Sequence, residues 1–409
     1  MNYFLSYNHG LEIFDYPFNI FVSLTFLISF TFFSLKNYKF FFQGISKNYL
    51  LLVPFAFFSI FISIVFSFLL INFYLAKYFI IFVYFFIFAY TIIYLKELKA
   101  YLKYFFKKVF QIKSVNLNDK LILLFFCIYF IISLLPITDA DSLNYHYGFA
   151  SILLRYKNLD FLKDVEIIDF NFFFVGFGEI INFIGLILCL DNFGSQVNFT
   201  ALILIYFFIL QHYRKKNNSY IFLSIIASPL LMSLLSSQKT YLLPVVLLSI
   251  LFLKIYKRQV SKSEIFLFLI IIFFTVGSKI NLIPFALLCS LILMYFCYKT
   301  KHLNYFFKYL FFSFIIILSP YFYKNIFFHH DLIPPFLSEI TNNNSIKTSE
   351  FLKWIRSYDV KLSLYNFVML PLIMIIPHIV DNGRVMFSYT QISKIYGIQF
   401  YNFLFLKKL

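Results

Sequence analysis

Apolar runs long enough to cross a bilayer recur along almost the whole chain, and they decide what it can fold into. They lie near 17–35, 49–72, 76–95, 120–137, 198–213, 219–235, 240–254, 263–278, 282–299, 308–323 and 363–379, with a weaker run at 385–406. Each is close to the roughly 20 residues that a helix needs to span the hydrocarbon core. Of the 409 residues 61% are apolar and only 13% are charged. A soluble chain has nearer half and a quarter, so no water-soluble core could absorb this much apolar surface. A soluble enzyme, a disordered protein and a secreted disulfide scaffold are thereby excluded. The expected fold is all-α: one polytopic membrane helix bundle over 1–409, with about 11–12 transmembrane helices.

The net charge of +17, 35 basic residues minus 18 acidic, would point to nucleic acid in a soluble protein. In a membrane chain it reflects the excess of Lys and Arg on the cytoplasmic side, and no nucleic-acid partner is expected. The segment 96–120 carries Lys96, Lys99, Lys103, Lys107, Lys108, Lys113 and Lys120 against Glu97 and Asp119. It is expected inside, as a basic amphipathic helix on anionic headgroups. Lys36, Lys39 and Lys47 then fall inside as well, and 1–119 forms an N-terminal group of helices plus this anchor. The following loop, 138–170, falls outside and holds six of the eighteen acids: Asp139, Asp141, Asp160, Asp164, Glu166 and Asp169.

Parity then constrains the run at 172–190. Arg214, Lys215 and Lys216 mark another inside loop. They reach that side only if one of 172–190 and 198–213 crosses. The former contains Gly176, Gly178 and Glu179, which suit a juxtamembrane or re-entrant segment on the outer face. With that choice Lys254, Lys257, Arg258, Lys262, Lys299 and Lys301 fall inside, and 324–362 falls outside with 138–197. Cys127, Cys189, Cys289 and Cys297 all sit in apolar stretches without metal-ligand spacing and read as small buried hydrophobes. The N-terminus has no basic region or small-residue cleavage site of a signal peptide.

The residues able to do chemistry cluster at the outer face. Asp139 and Asp141, followed by His146, begin where a hydrophobic helix ends. A carboxylate there suits a general base for an acceptor hydroxyl, or a ligand to a divalent cation such as Mg or Mn that bridges phosphates. The alternative is helix capping, with either acid starting a helix over 142–156. Glu179 is costly inside a membrane and is a functional candidate for that reason. Lys239 and Lys279 lie where positive charge is scarce, and either snorkel or contact a lipid-linked phosphate. His329, His330 and Asp331 lie in a predicted outer loop after 308–323, more suited to lining a cleft than to holding metal. No phosphate-binding glycine loop, dinucleotide fingerprint or zinc box is present.

The run Asp139-Ala-Asp141-Ser-Leu-Asn-Tyr145-His146-Tyr-Gly-Phe-Ala150-Ser-Ile-Leu-Leu-Arg155-Tyr resembles the opening of the first large outer loop of GT-C membrane glycosyltransferases. That superfamily includes protein O-mannosyltransferases and lipid A aminoarabinose transferases. The stretch from Ser319-Pro320-Tyr321 to Pro334-Pro335-Phe336 is similar to a later outer-loop pattern in bacterial members. Gly176-Phe-Gly178-Glu179 resembles their juxtamembrane region. The likeness covers about 120–380. It implies a GT-C-like core that moves a sugar from a polyprenyl-phosphate donor to a cell-envelope acceptor, outside the bacterial inner membrane. Asp139 or Asp141 would be the base or metal-linked acid, with His146 beside them. Glu179, Lys239, Lys279, His329, His330, Asp331 and Arg356 would contact substrate. The sequence departs from the family in three ways. Three predicted helices precede this core, a proline-rich pattern after the first loop is missing, and the chain ends soon after one weak run, as a truncated relative would. Two other classes stay open. One is a polysaccharide polymerase or ligase, leaning on Arg356 and His329. The other is a lipid or solute transporter, or flippase, marked by polar groups at mid-membrane. A non-catalytic truncated homologue is a third possibility.

Overall fold

The computed structural model describes residues 16–109, 117–135, 146–162, 175–212, 222–223, 225–255 and 260–331. All regular structure among them is helical. In chain order the helices are α1 (Tyr16–Phe41), α2 (Val53–Ile71), α3 (Phe73–Ile93), α4 (Leu95–Val109), α5 (Leu117–Leu134), α6 (Tyr147–Tyr156), α7 (Phe177–Ile187), α8 (Phe193–His212), α9 (Pro229–Leu235), α10 (Leu242–Ile255), α11 (Lys262–Ser278), α12 (Ile283–Lys299), α13 (Leu303–Ser313) and α14 (Ser319–His329). A π-type turn at Phe314–Leu318 joins α13 to α14 as one rod. Five stretches among the described residues are long and apolar enough to cross a membrane: Phe18–Phe41, Tyr49–Ile71, Phe73–Ile93, Ile280–Lys299 and Leu303–His329. The protein is a helical membrane bundle with α2 and α11 at its centre, packed on each other. The predicted runs at 363–379 and 385–406 lie outside the described residues.

Local chemistry explains the joints. Asn72 is extended between α2 and α3, and its side-chain oxygen accepts the N–H of Tyr74 at 2.7 Å, which caps α3 and reverses the chain sharply. Ser261 and Glu264 form a reciprocal capping box at the start of α11. Pro320 removes the N–H that would have bonded to the carbonyl of Ile316. The rod widens there into the π-type turn, and Ser63 Oγ of α2 donates to Ile316 O at 2.5 Å. The predicted crossing at 219–235 is broken instead. Ser228 is extended because Pro229 follows it, and Tyr129 OH donates to the carbonyl of Ile226 beside the break.

The lysine-bearing ends converge. Lys36 of α1 bonds to Glu97 of α4 at 2.9 Å and stacks on Tyr94. Ser46 N–H donates to Glu264, Ser263 Oγ to the carbonyl of Gln43, and Lys262 Nζ to Tyr305 OH. Lys254 lies over Tyr49. Hence the ends of α1, α4, α10, α11 and α13 that carry Lys36, Lys96, Lys254, Lys262 and Lys301 gather on one side of the bundle. Helix α4 shows Lys96, Lys99 and Lys103 exposed, while Leu98 is buried.

The run at 172–190 is too short to cross as a helix, and the expectation for the cysteines needs correction. The run at 172–190 becomes α7, with 11 residues, roughly 17 Å long and too short for a core of about 30 Å. Its residues Phe177–Leu186 are buried. It packs on α2, α3, α6, α8 and α11 as an internal plug. The cysteines also divide. Cys289 and Cys297 are buried, but Cys127 and Cys189 are exposed. Cys127 shares the outward face of α5 with Leu123, Leu124 and Ile131, and Cys189 takes a left-handed turn after α7.

The π-type turn supplies a test. Ser63→Ala leaves the Ile316 carbonyl without that donor in apolar surroundings, a loss of about 1–3 kcal/mol. Thermal unfolding in detergent is expected at a lower temperature for Ser63→Ala than for Ser67→Ala, whose hydroxyl bonds only within its own helix.

Candidate functional site

The end opposite the lysine-bearing loops holds a buried charged cluster built around α7. Gly176 occupies the N-cap of this helix and Glu179 its third position. Glu179 Oε2 turns back to accept the Gly176 N–H at 2.7 Å. Part of the arrangement is therefore helix capping. Oε1 of the same carboxylate faces two further groups: His146 Nδ1 at 2.8 Å and Lys279 Nζ at 3.4 Å. His146 precedes α6 and Lys279 follows α11, so three separate parts of the chain meet at one carboxylate. Glu179 is 2% exposed and His146 1%.

Backbone contact makes the meeting possible. A Cβ on Gly176 would stand 2.3 Å from the carbonyl oxygen of Gly277, and one on Gly277 would stand 2.3 Å from the ring of Phe177. Phe177 stacks on Phe274 of α11, with ring centroids 5.7 Å apart. Larger residues at either glycine would push α7 off the end of α11 and carry Glu179 away from Lys279.

The charge states follow from the pairing. Burial pushes the Glu179 pKa up, but the Lys279 charge and the His146 hydrogen bond outweigh it and hold the carboxyl well below its usual range. Burial pulls Lys279 down, but Glu179 outweighs it and holds the ammonium above its usual value. Burial and the charge of Lys279 hold His146 below the ordinary imidazole value, against the pull of Glu179. The cluster is thus Glu⁻, Lys⁺ and neutral His. With an ionised carboxylate opposite Nδ1, the imidazole hydrogen sits there and the lone pair is on Nε2. That is the orientation of a histidine set up by a carboxylate to act as a base.

A second layer positions the neighbours. The segment between α9 and α10 is held by amides from α7 and α8. Asn182 Nδ2 donates to the carbonyls of His146 at 3.2 Å and Gln238 at 3.1 Å. Gln238 Oε1 accepts the Gly194 N–H, and Asn198 Nδ2 donates to the carbonyl of Lys239. This fixes Tyr241, whose ring lies 4.0 Å from Lys279 Nζ and edge-on to His146. Lys239 is buried, and its charge acts on His146. From α14, the wholly buried Lys324 donates to the carbonyl of Val175 at 2.9 Å, just before α7.

The structure therefore brings together His146, Glu179 and Lys279, with Lys239 close by. Asp139, Asp141 and Arg356 lie outside the described residues. His329 and the residues before it are helix rather than loop: α14 runs to His329, and His330 ends it in the left-handed conformation. Asp331 is buried beyond that cap. Among the described residues no group of three or more His, Cys, Asp or Glu is placed to hold a metal ion. Tyr241, Asn182, Gln238 and Lys324 were missed by sequence reasoning. A lysine in the apolar run of α14 and an amide one helical turn after Glu179 were the available signals.

Residues 90–407 match the family model described as DUF1420 N-terminal domain. The chain belongs to the DUF1420 family. No curated protein and no solved structure matches it. The DUF1420 match takes in the whole Glu179 cluster and the segment with Asp139 and Asp141, while α1 and α2 precede it.

Glu179→Gln leaves Lys279 buried without its counter-charge, and a loss of about 3–5 kcal/mol is expected. Lys36→Gln, which breaks a partly exposed pair, is expected to cost no more than about 1 kcal/mol. The Glu179 pKa is depressed in the fold. Its contribution is therefore fully present above the unfolded carboxyl value of about 4.3 and lost as pH falls through the folded value. Melting curves of wild type and Glu179→Gln should stay separated by a constant interval from pH 5 to 8 and draw together below pH 4. Equal melting temperatures at neutral pH would contradict the assignment.

Proposed function

We propose that this DUF1420 chain is a membrane glycosyltransferase. It moves a sugar from a polyprenyl-phosphate donor to a cell-envelope acceptor on the outer face of a bacterial inner membrane. The observation that carries the reading is the Glu179–His146–Lys279 cluster, at the end of the bundle opposite the lysine-bearing loops. His146 is joined directly to the segment with Asp139 and Asp141, so a buried, charge-ordered anchor supports the residues proposed for catalysis. The gathering of Lys36, Lys254, Lys262 and Lys301 at the other end supports a cytoplasmic orientation for that end. The five long apolar helices support a multi-pass arrangement.

In this reading Asp139 or Asp141 takes the proton of the acceptor hydroxyl. The acceptor oxygen forms its bond to the sugar C1, the bond from C1 to the phosphate oxygen breaks, and polyprenyl phosphate leaves with the electron pair. Lys239 and Lys279 offset the charge that develops on the leaving phosphate. Glu179 holds His146, and with it the start of α6, at the foot of the catalytic segment.

A transporter is the second reading, and a specific feature favours it. The 11-residue α7 and the break at Ser228–Pro229 make discontinuous helices around buried Asn182, Gln196 and Asn198. Interrupted helices of that kind line substrate sites in carriers.

Membranes carrying the protein are to be incubated with labelled polyprenyl-phosphate sugars and the products extracted. Asp139→Asn or Asp141→Asn is expected to lower transfer by about 10²–10⁴-fold, the usual contribution of a general base, at unchanged protein level. Undiminished transfer in both variants would shift the chemistry to the segment of His329 and Arg356. Label that crosses sealed vesicles without becoming covalently attached would favour the transporter.

A further inference from the structure

We infer that the first turn of α7, together with the Thr240 hydroxyl, is a buried binding site for a phosphate-type oxyanion. Gly176 has no side chain to accept the first N–H groups of the helix, and no side-chain cap bond is made there. The N–H groups of Phe177 and Gly178 have no acceptor among the described residues. Both residues are buried, where donors left unmatched are rare in folded proteins. The second observation is independent of the helix. Thr240 Oγ1 is buried without a hydrogen-bond partner. It lies against the same turn, 2.2 Å from where a Cβ on Gly178 would stand. A buried hydroxyl without a partner thus packs against the turn that carries two backbone donors at the positive end of a helix dipole.

Two lysine side chains stand beside the turn. Lys324 Nζ reaches the carbonyl of Val175, two residues before Phe177, and Lys279 lies on Glu179. Glu179 is the acid beside this turn, and its two oxygens already take the Gly176 N–H, His146 and Lys279. An oxyanion accepts from several donors at once; a water that accepts two N–H bonds and donates to the hydroxyl is the alternative occupant that the test below separates. The ligand chemistry is a phosphate group, supplied by a lipid headgroup or by free phosphate. The inference rests on the transferase reading only for the source of that phosphate.

The test uses the full-length protein in neutral detergent with two probes, inorganic phosphate and decyl phosphate. Equilibrium dialysis and melting temperature are read for wild type, Thr240→Val and Gly178→Ala. Saturable binding that raises the melting temperature is expected in wild type. Thr240→Val keeps the shape and removes only a hydroxyl without a partner. It should therefore melt no lower than wild type in the absence of phosphate, yet bind at least about tenfold more weakly. Gly178→Ala places a methyl group on the hydroxyl and should bind still less. Binding of decyl phosphate alone marks a lipid headgroup, and equal binding of both marks the phosphate group itself. No saturable binding of either probe, or wild-type affinity in Thr240→Val, overturns the site. So does a Thr240→Val protein that melts lower with unaltered binding, as a resident water would require. Sugar transfer without phosphate binding removes the site and spares the transferase. Thr240-dependent binding without transfer removes the transferase and spares the site.

Discussion

The Glu179 carboxylate is the group on which this end of the bundle depends. A charge in an apolar interior is tolerated only when it is matched, and the mismatch is worth several kcal/mol. Its donors come from its own helix at Gly176, from His146 before α6 and from Lys279 after α11. Each donor is a segment that must be brought to α7 and kept there. The carboxylate therefore ties together three elements that sequence separates by 33 and 100 residues. Steric permission comes from Gly176 and Gly277, whose lack of side chains lets the two backbones touch.

The second constraint is the polar layer around it. Asn182, Gln238, Ser195 and Asn198 are almost wholly buried, and Asn182, Ser195 and Asn198 donate to the carbonyls of Gln238, Ser237 and Lys239. An apolar layer of equal volume would contribute comparable stability, but it would not dictate where the segment between α9 and α10 sits. Directional bonds do, because a mispositioned amide in this setting leaves its partner carbonyl unmatched. The outcome is a fixed place for Tyr241 and Lys239 beside His146. A surface able to recognise a ligand needs that kind of fixed geometry more than it needs additional stability.

Some of this was legible in the sequence. The apolar runs marked the helices because bilayer thickness and helix rise leave little freedom. The counting of lysines singled out 172–190 as unlike its neighbours, and α7 is indeed too short to cross. Glu179 and Lys279 stood out because charge is scarce in such surroundings, although nothing in their separation says that they meet. What was not legible has a common cause. The extension of α14 to His329 and the outward face of Cys127 both depend on which neighbours pack where. Apolar periodicity carries no such information when every face of a helix is apolar, inward or toward lipid alike. Lys324 was hidden in the same way, since one lysine in an aromatic run reads equally well as an interfacial snorkel.

The features of α7 are not independent choices. A serine or aspartate at the N-cap would have matched its first N–H groups, as at most helix starts. Position 176 cannot carry one, because any Cβ there collides with the carbonyl of Gly277. The contact that excludes a capping side chain is also the contact that delivers Lys279 to Glu179. Ion pairing and capping by a side chain at position 176 are therefore mutually exclusive in this packing. A fold that takes the first must leave backbone donors at a buried helix terminus, where local rules are otherwise kept. Departures of that sort persist when something else in the working protein meets the donors. Here the departure lies one turn from the carboxylate that orders the whole cluster. A ligand bound at those donors would be sensed directly by Glu179, His146 and Lys279.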